Sequence, residues 1–258
     1  MILAKVLVTI AIVTGLSVIA ERVSPRAAGI LAGYPAGSAI SLFFIGMELG
    51  ADFAGASAMY NILGLTALLS FLFIYYQASL RICWFPVLAA SVTAIGGFLV
   101  VVSGLNALHL PAWGGLLVSA AAIPLFQRLY QAIPNAQIAN RVRLSPRVLL
   151  FRAALSAVII LTVTGAAHLV GPNLAGLFSA FPATVFPLLL IIHTTYGARQ
   201  AHTIIKNVPT GLWSLMLYSL TVSFVYPAFG IFWGTLLAFA VATIYLLGLA
   251  AINKRRVI

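Results

Sequence analysis

The sequence predicts an all-α polytopic membrane protein: about nine transmembrane helices, in two inverted-topology repeats of four helices plus a linker helix. Three observations carry that expectation. Of the 258 residues, 63% are hydrophobic and 7% charged, and the mean hydropathy is +1.14, whereas a soluble domain is usually about 45–50% apolar. The apolar runs are long enough for helices, and the alternating segments of about ten residues that mark a membrane β-barrel are missing. Finally, the stretch 25–65 reappears without a gap at 172–212.

Pro25 and Pro172 lie 147 residues apart, and at that offset twelve of forty-one positions are identical. They are Pro25/Pro172, Ala28/Ala175, Gly29/Gly176, Pro35/Pro182, Ala36/Ala183, Leu42/Leu189, Ile45/Ile192, Gly50/Gly197, Ala51/Ala198, Ala54/Ala201, Gly64/Gly211 and Leu65/Leu212. The Pro and Gly pairs weigh most, because they set backbone shape. Two copies of one long period mean two half-domains rather than a solenoid. Residues 1–20 have the look of a signal peptide, with Lys5 as its basic region. Lys5 falls on Arg152 and Ala20 on Ala167, however, so this segment is expected to be a retained first span. The repeats are then 1–105 and 148–258, with a linker helix and a basic cytoplasmic loop in 106–147.

Apolar windows place candidate helices at 2–20, 25–49, 54–77, 83–105, 110–126, 148–170, 172–196, 203–225 and 227–252. The fifth is short, and little more than Gly50-Ala51-Asp52 separates the second from the third. Tyr75, Tyr76, Trp84 and Trp113 fit interfacial belts. The segment 127–147 fits an amphipathic surface helix interrupted by Pro134. Cys83 is the only cysteine, so no internal disulfide can form.

Short cytoplasmic loops hold the excess of Lys and Arg, and Arg128, Arg141, Arg143 and Arg147 make the central loop cytoplasmic. Counting spans outward puts Arg22, Arg26, Arg81, Arg199, Lys206 and Lys254-Arg255-Arg256 inside as well, with Glu48, Asp52 and His109 outside. The N-terminus is then out and the C-terminus in, and Lys5 is the one cation at odds with this. Five spans separate the first from the sixth, so the two copies cross the membrane in opposite directions. The net charge of +11 is read as loop cations meeting anionic lipid headgroups, not as a nucleic-acid surface.

Inverted repeats let two similar halves exchange conformations and open a central site to either side, and paired Gly/Pro-interrupted segments mark that site. Here the pair is Gly33-Tyr34-Pro35-Ala36-Gly37-Ser38 and Ala180-Phe181-Pro182-Ala183-Thr184. Each Pro lies about ten residues into its segment, roughly 15 Å at 1.5 Å per residue, near the middle of a 30 Å core. A helical Pro frees the carbonyl four residues back, here Leu31 and Phe178, which must be satisfied by neighbours, water or a ligand. Tyr34, Pro35, Ser38, Phe181, Pro182 and Thr184 are therefore candidate substrate contacts, and the amides after each break resemble helix N-termini that favour an anion. The alternative is a pair of packing kinks.

Coupling or gating candidates are Glu48, Asp52, His193, Arg199 and Lys206. Glu48 and Asp52 would share a helical face and suit a cation or proton, or they are two solvated carboxylates; their counterparts are Thr195 and Arg199. Arg199, His202 and Lys206 share a face that could attract an anion or simply anchor the inner side. His193 lies within an apolar run, where an ionisable residue is a functional candidate with a pKa suited to proton carriage; a packing histidine is the other reading. Asn61 and Asn207 fit interhelical hydrogen bonding. No metal-ligand cluster, nucleotide loop, Ser/His/Asp set or heptad run is present, so neither an enzyme nor a cofactor is expected.

Ala175-Gly176-Leu177, Phe181-Pro182-Ala183-Thr184 and Gly197, with Ala28-Gly29-Ile30, Tyr34-Pro35-Ala36 and Gly50 in the first half, make each half similar to the small four-helix GlpM-type bacterial membrane proteins. The resemblance is clearest over 149–254. It implies a bacterial inner-membrane location and a four-helix unit that pairs antiparallel and is here fused in tandem, as in small multidrug-resistance proteins and their duplicated relatives. The family is associated with exopolysaccharide production, and the resemblance supplies no substrate. The leading expectation is a secondary transporter of a small polar or anionic solute, coupled to protons or sodium, working by alternating access. The rivals are a non-transporting subunit or scaffold for envelope polysaccharide assembly, and a flippase of lipid or lipid-linked sugar. A hydrated midplane cavity would favour transport, a close-packed centre the scaffold, and a groove open sideways to lipid the flippase.

Overall fold

Pro35 and Pro182 split two of the expected spans, so that the chain forms eleven helices and no strand among the described residues of a computed structural model. Those residues are 1–21, 25–82, 84–136 and 145–255; Arg22, Cys83, Arg141, Arg143 and Arg256 lie outside them. The helices are α1 Ile2–Glu21, α2 Pro25–Ala32, α3 Ala36–Leu49, α4 Ala51–Arg81, α5 Pro86–Ala107, α6 Ala112–Leu129, α7 Pro146–Ala167, α8 Pro172–Ser179, α9 Val185–Tyr196, α10 Ala198–Phe229 and α11 Ile231–Arg255. Helix bounds follow the sequence offset. Pro25–Ala32 and Pro172–Ser179 are 147 residues apart at both ends, α3 and α9 end at Leu49 and Tyr196, and α4 and α10 begin at Ala51 and Ala198.

Six helical stretches are long and apolar enough to cross a membrane among the described residues, not the nine expected: Gly29–Leu49, Ala51–Arg81, Pro86–Ala107, Pro146–Ala167, Ala198–Phe229 and Ile231–Ile252. The chain is thus a multi-pass helical membrane protein. The seventh expected span falls short because the break leaves only Val185–Tyr196 as an apolar helix. Conversely, α4 and α10 run to 31 and 32 residues, about 47 Å at 1.5 Å per residue, and so tilt or project beyond a core of about 30 Å.

Single glycines join the half-helices to the long ones. Gly50 has φ 96° and Gly197 φ 97°, a region costly for any residue with a Cβ, and their amides close onto the carbonyls of Gly46 and His193. Gly230, at φ 78°, reverses the chain between α10 and α11.

α4 and α10 form the middle of the bundle. Matched pairs such as Leu65 and Leu212, and Phe71 and Tyr218, are fully buried along them. α5 and α11 flank them and expose Leu88, Val92, Leu99, Phe232, Trp233 and Leu236, a surface suited to acyl chains. Trp84 and Trp113 are exposed as belt residues would be, but Tyr75 is fully buried, because its hydroxyl meets His193. The amphipathic helix expected after 127 is not formed over 130–136: α6 ends at Leu129, and Lys206 Nζ donates to the carbonyls of Gln131 and Ile133, holding this segment in turns.

Candidate functional site: two helix breaks at a double crossing

The two breaks have the same hydrogen-bond pattern. Gly33 N donates to Ile30 O (3.1 Å), Tyr34 N to Leu31 O (3.0 Å), Ala36 N to Tyr34 O (2.7 Å) and Ala39 N to Pro35 O (2.7 Å). Residue for residue, Ala180 N donates to Leu177 O (3.3 Å), Phe181 N to Phe178 O (2.9 Å), Ala183 N to Phe181 O (2.6 Å) and Phe186 N to Pro182 O (2.8 Å). The helix tightens by one residue before each break, as helix ends commonly do. Leu31 and Phe178, expected to offer freed carbonyls to a ligand, therefore accept bonds from their own segments.

Each short helix crosses a long helix of the other half. α2 lies on α10: a Cβ added to Gly29 would stand 2.7 Å from Asn207 Cβ, and one on Gly33 2.7 Å from the Gly211 backbone. α8 lies on α4 in the matching way: a Cβ on Gly176 would stand 2.7 Å from Tyr60 Cβ, and one on Gly64 2.6 Å from Ala180 Cβ. Small residues permit this approach between apolar helices. Between the crossings the start of α3 meets the turn that leads into α9, with a Cβ on Gly37 falling 3.4 Å from Ala183 Cβ and 3.5 Å from Thr184 Cγ2.

The sequence candidates Ser38, Pro35, Pro182 and Thr184 are all buried, and the residues beside Ser38 and Thr184 are in contact across the two breaks. Ser38 Oγ donates to the Ser179 carbonyl at 3.0 Å. Asn61 Nδ2 donates to Ser179 Oγ (2.8 Å), and Ser219 Oγ donates to Asn61 Oδ1 (2.7 Å), so Asn61 ties α4 to α8 and α10 as the sequence suggests. Asn207 does not act this way; its Nδ2 donates to Thr203 O in its own helix. Tyr34 and Phe181 point to the flanks. Tyr34 OH meets Thr243 Oγ1 at 2.9 Å and its ring stacks on Phe239, whereas Phe181 sits edge-on among Phe71, Phe98 and Phe186.

The remaining candidates lie at the two ends. Glu48 Oε2 accepts from Lys5 Nζ at 2.7 Å and contacts His168 Nε2 at 3.1 Å, and Lys5 also donates to Thr164 Oγ1 at 2.8 Å. Asp52, one turn on, is exposed and does not join this cluster. At the opposite end His193 Nδ1 meets Tyr75 OH at 3.0 Å, and His202 Nε2 meets Ser79 Oγ at 2.7 Å. The Ser79 hydroxyl also donates to Tyr76 O, so His202 Nε2 carries the proton of that bond. Arg199 is exposed. The residues not singled out in the sequence are Ser179, Ser219, Thr164 and His168. A signal existed for the Lys5 pairing: a lone cation at the wrong end of its helix calls for a carboxylate.

Among the described residues no group of three or more His, Cys, Asp or Glu could hold a metal ion. An apolar groove of about 600 Å³ opens between the start of α5 and the sides of α7 and α9, lined by Phe85, Leu88, Leu155, Phe186 and Leu190 among others. Fold and site define a multi-pass helical membrane protein built on two broken helices, each crossing a long helix of the other half. Comparison with protein-family models, with curated proteins and with solved structures finds no match to this chain.

Proposed function

We propose that this chain is a secondary transporter that moves a small polar or anionic solute by alternating access of two inverted repeats, with its solute site where the breaks meet. The observation that carries the reading is the approach of the first turn of α3 to the second break, Gly37 against Ala183 and Thr184, because paired breaks in matching helices mark the solute site of inverted-repeat transporters. The matched helix bounds, break hydrogen bonds and crossings support a duplicated unit, GlpM-like in type, in each half. In this reading the Glu48 end faces outward, the N-terminus is outside, the C-terminus is in the bacterial cytoplasm, and the buried Ser38 and Thr184 mark an occluded arrangement. Protons or sodium drive the exchange.

Single cysteines at Ser38 and Thr184, in a Cys83→Ser background, test it in sealed vesicles. Labelling of both positions from both faces, altered by candidate solutes, is the expected result. Inaccessibility from either face under every condition overturns the reading and leaves two packing kinks in a membrane scaffold. The sideways groove at Leu155, Phe186 and Leu190 favours a second reading, a flippase of lipid or lipid-linked sugar. Reconstituted protein that scrambles a fluorescent lipid while Ser38→Cys stays unlabelled would select it.

A further inference from the structure

We propose that Lys5, Glu48 and His168 form the latch that holds the solute path shut at the Glu48 end, an inference that rests on the alternating-access reading. α3 begins at the crossing, with Ala36, and carries Glu48 in its last turn, about 18 Å away at 1.5 Å per residue. One end of this half-helix therefore forms the site while the other carries the ion pair. A single carboxylate oxygen joins three helices, accepting from Lys5 on α1 at 2.7 Å and meeting His168, just past α7, at 3.1 Å. Lys5 also holds Thr164 of α7 and lies 6.0 Å from the Phe44 ring centroid of α3.

Burial suits a latch. Lys5 is 5% exposed and the Glu48 side chain 14%, so salt screens the pair poorly, yet water reaches the carboxylate as soon as α3 moves. Separating buried partners is costly unless both are rehydrated, which makes the closed and open positions discrete. The second half is built differently. Arg152 occupies the place equivalent to Lys5 but donates to the Thr184 carbonyl at the break, at 3.5 Å, while Thr195 stands where Glu48 would be. Only the Glu48 end, then, has a carboxylate at this position of its half-helix, and the Lys5 that runs against the distribution of cations is placed there to meet it.

The test uses the full chain with Ser38→Cys and Cys83→Ser in sealed vesicles and reads labelling by a membrane-impermeant maleimide from each face. Glu48→Gln and Lys5→Met are expected to speed labelling from the Glu48 face by about tenfold, without speeding it from the opposite face. The exchange Lys5→Glu with Glu48→Lys restores the slow rate. Should Glu48→Gln fail to fold, Glu48→Asp, which keeps the charge but draws the carboxylate back by one methylene, takes its place, with acceleration again expected from that face alone. Unchanged rates, or equal acceleration from both faces, overturn the latch and leave the transporter reading intact. A Ser38→Cys that is never labelled from either face, in parent or variants, removes both.

Discussion

The α8 crossing on α4 and the α2 crossing on α10 use matched glycines but are held by different forces. In the first, Asn61 bonds Ser179 and Ser219, and Ser38 bonds the Ser179 carbonyl. In the second, Gly33 and Gly211 meet backbone to backbone; the nearby Ser214 hydroxyl donates to Gly211 O, and the Asn207 amide to Thr203 O, each in its own helix. The positions equivalent to Ser179 and Asn61 are Ala32 and Val208. Among the described residues, close packing holds one crossing, and packing plus directed bonds the other. If the halves move, the α8 and α4 contact must give up these bonds.

The largest effect is expected at the glycines. Gly176→Leu sets a side chain against Ser57 O and Tyr60, and Gly211→Leu sets one against Ile30 O. Backbone cannot yield as side chains do, so both exceed the usual overpacking cost of about 1–3 kcal/mol. Neither variant should give a folded, monodisperse peak in detergent chromatography; a folded Gly211→Leu alone would show that the α2 crossing already has slack.

Asn61→Ala comes next, taking a donor from Ser179, which keeps its bond to Gly176 O, and the acceptor from Ser219, at about 1–2 kcal/mol. Ser214→Ala in the other crossing should leave Tm unchanged. Equal losses from the two would abolish the contrast, whereas non-additivity of Asn61→Ala with Ser219→Ala would sharpen it. Tyr75→Phe deprives the buried His193 of its partner and should lower stability by about 1 kcal/mol, read as a fall in Tm. Tyr34→Phe should cost least, about 0.5 kcal/mol, because Thr243 can turn its freed hydroxyl to a carbonyl of its own helix; a larger loss of Tm would make the α2 flank as polar a clasp as Asn61.

Much of this arrangement was readable from residue chemistry. The doubled Pro and Gly pattern located both breaks, and Gly50 marked a joint because little else separates two apolar runs there. The end of the eighth span was misplaced for an instructive reason. Pro227 reads as a start, yet α10 runs on to Phe229, since a proline removes only one donor and Gly230 supplies the reversal. Tyr75 reads as a belt residue because an aromatic at a helix end looks the same facing lipid or a histidine. The crossings were beyond local pattern altogether: Gly33 and Gly211 are 178 residues apart, and no periodicity joins them. Ser179 and Ser219 carried no mark either, since hydroxyls are common in apolar helices that bond their own backbone.

The interlocking of the halves also sets an order of assembly on the ribosome. α8 emerges when α4 already exists and can dock at once. α2 must wait for α10, and over 178 residues, at about 5–20 residues per second, that delay is roughly 10–35 s. Through that interval the face of Gly29 and Gly33 has no protein to cover it. A nascent chain halted before its tenth helix would therefore hold an unfinished first half, open to quality-control proteases, while the second half never passes through such a stage.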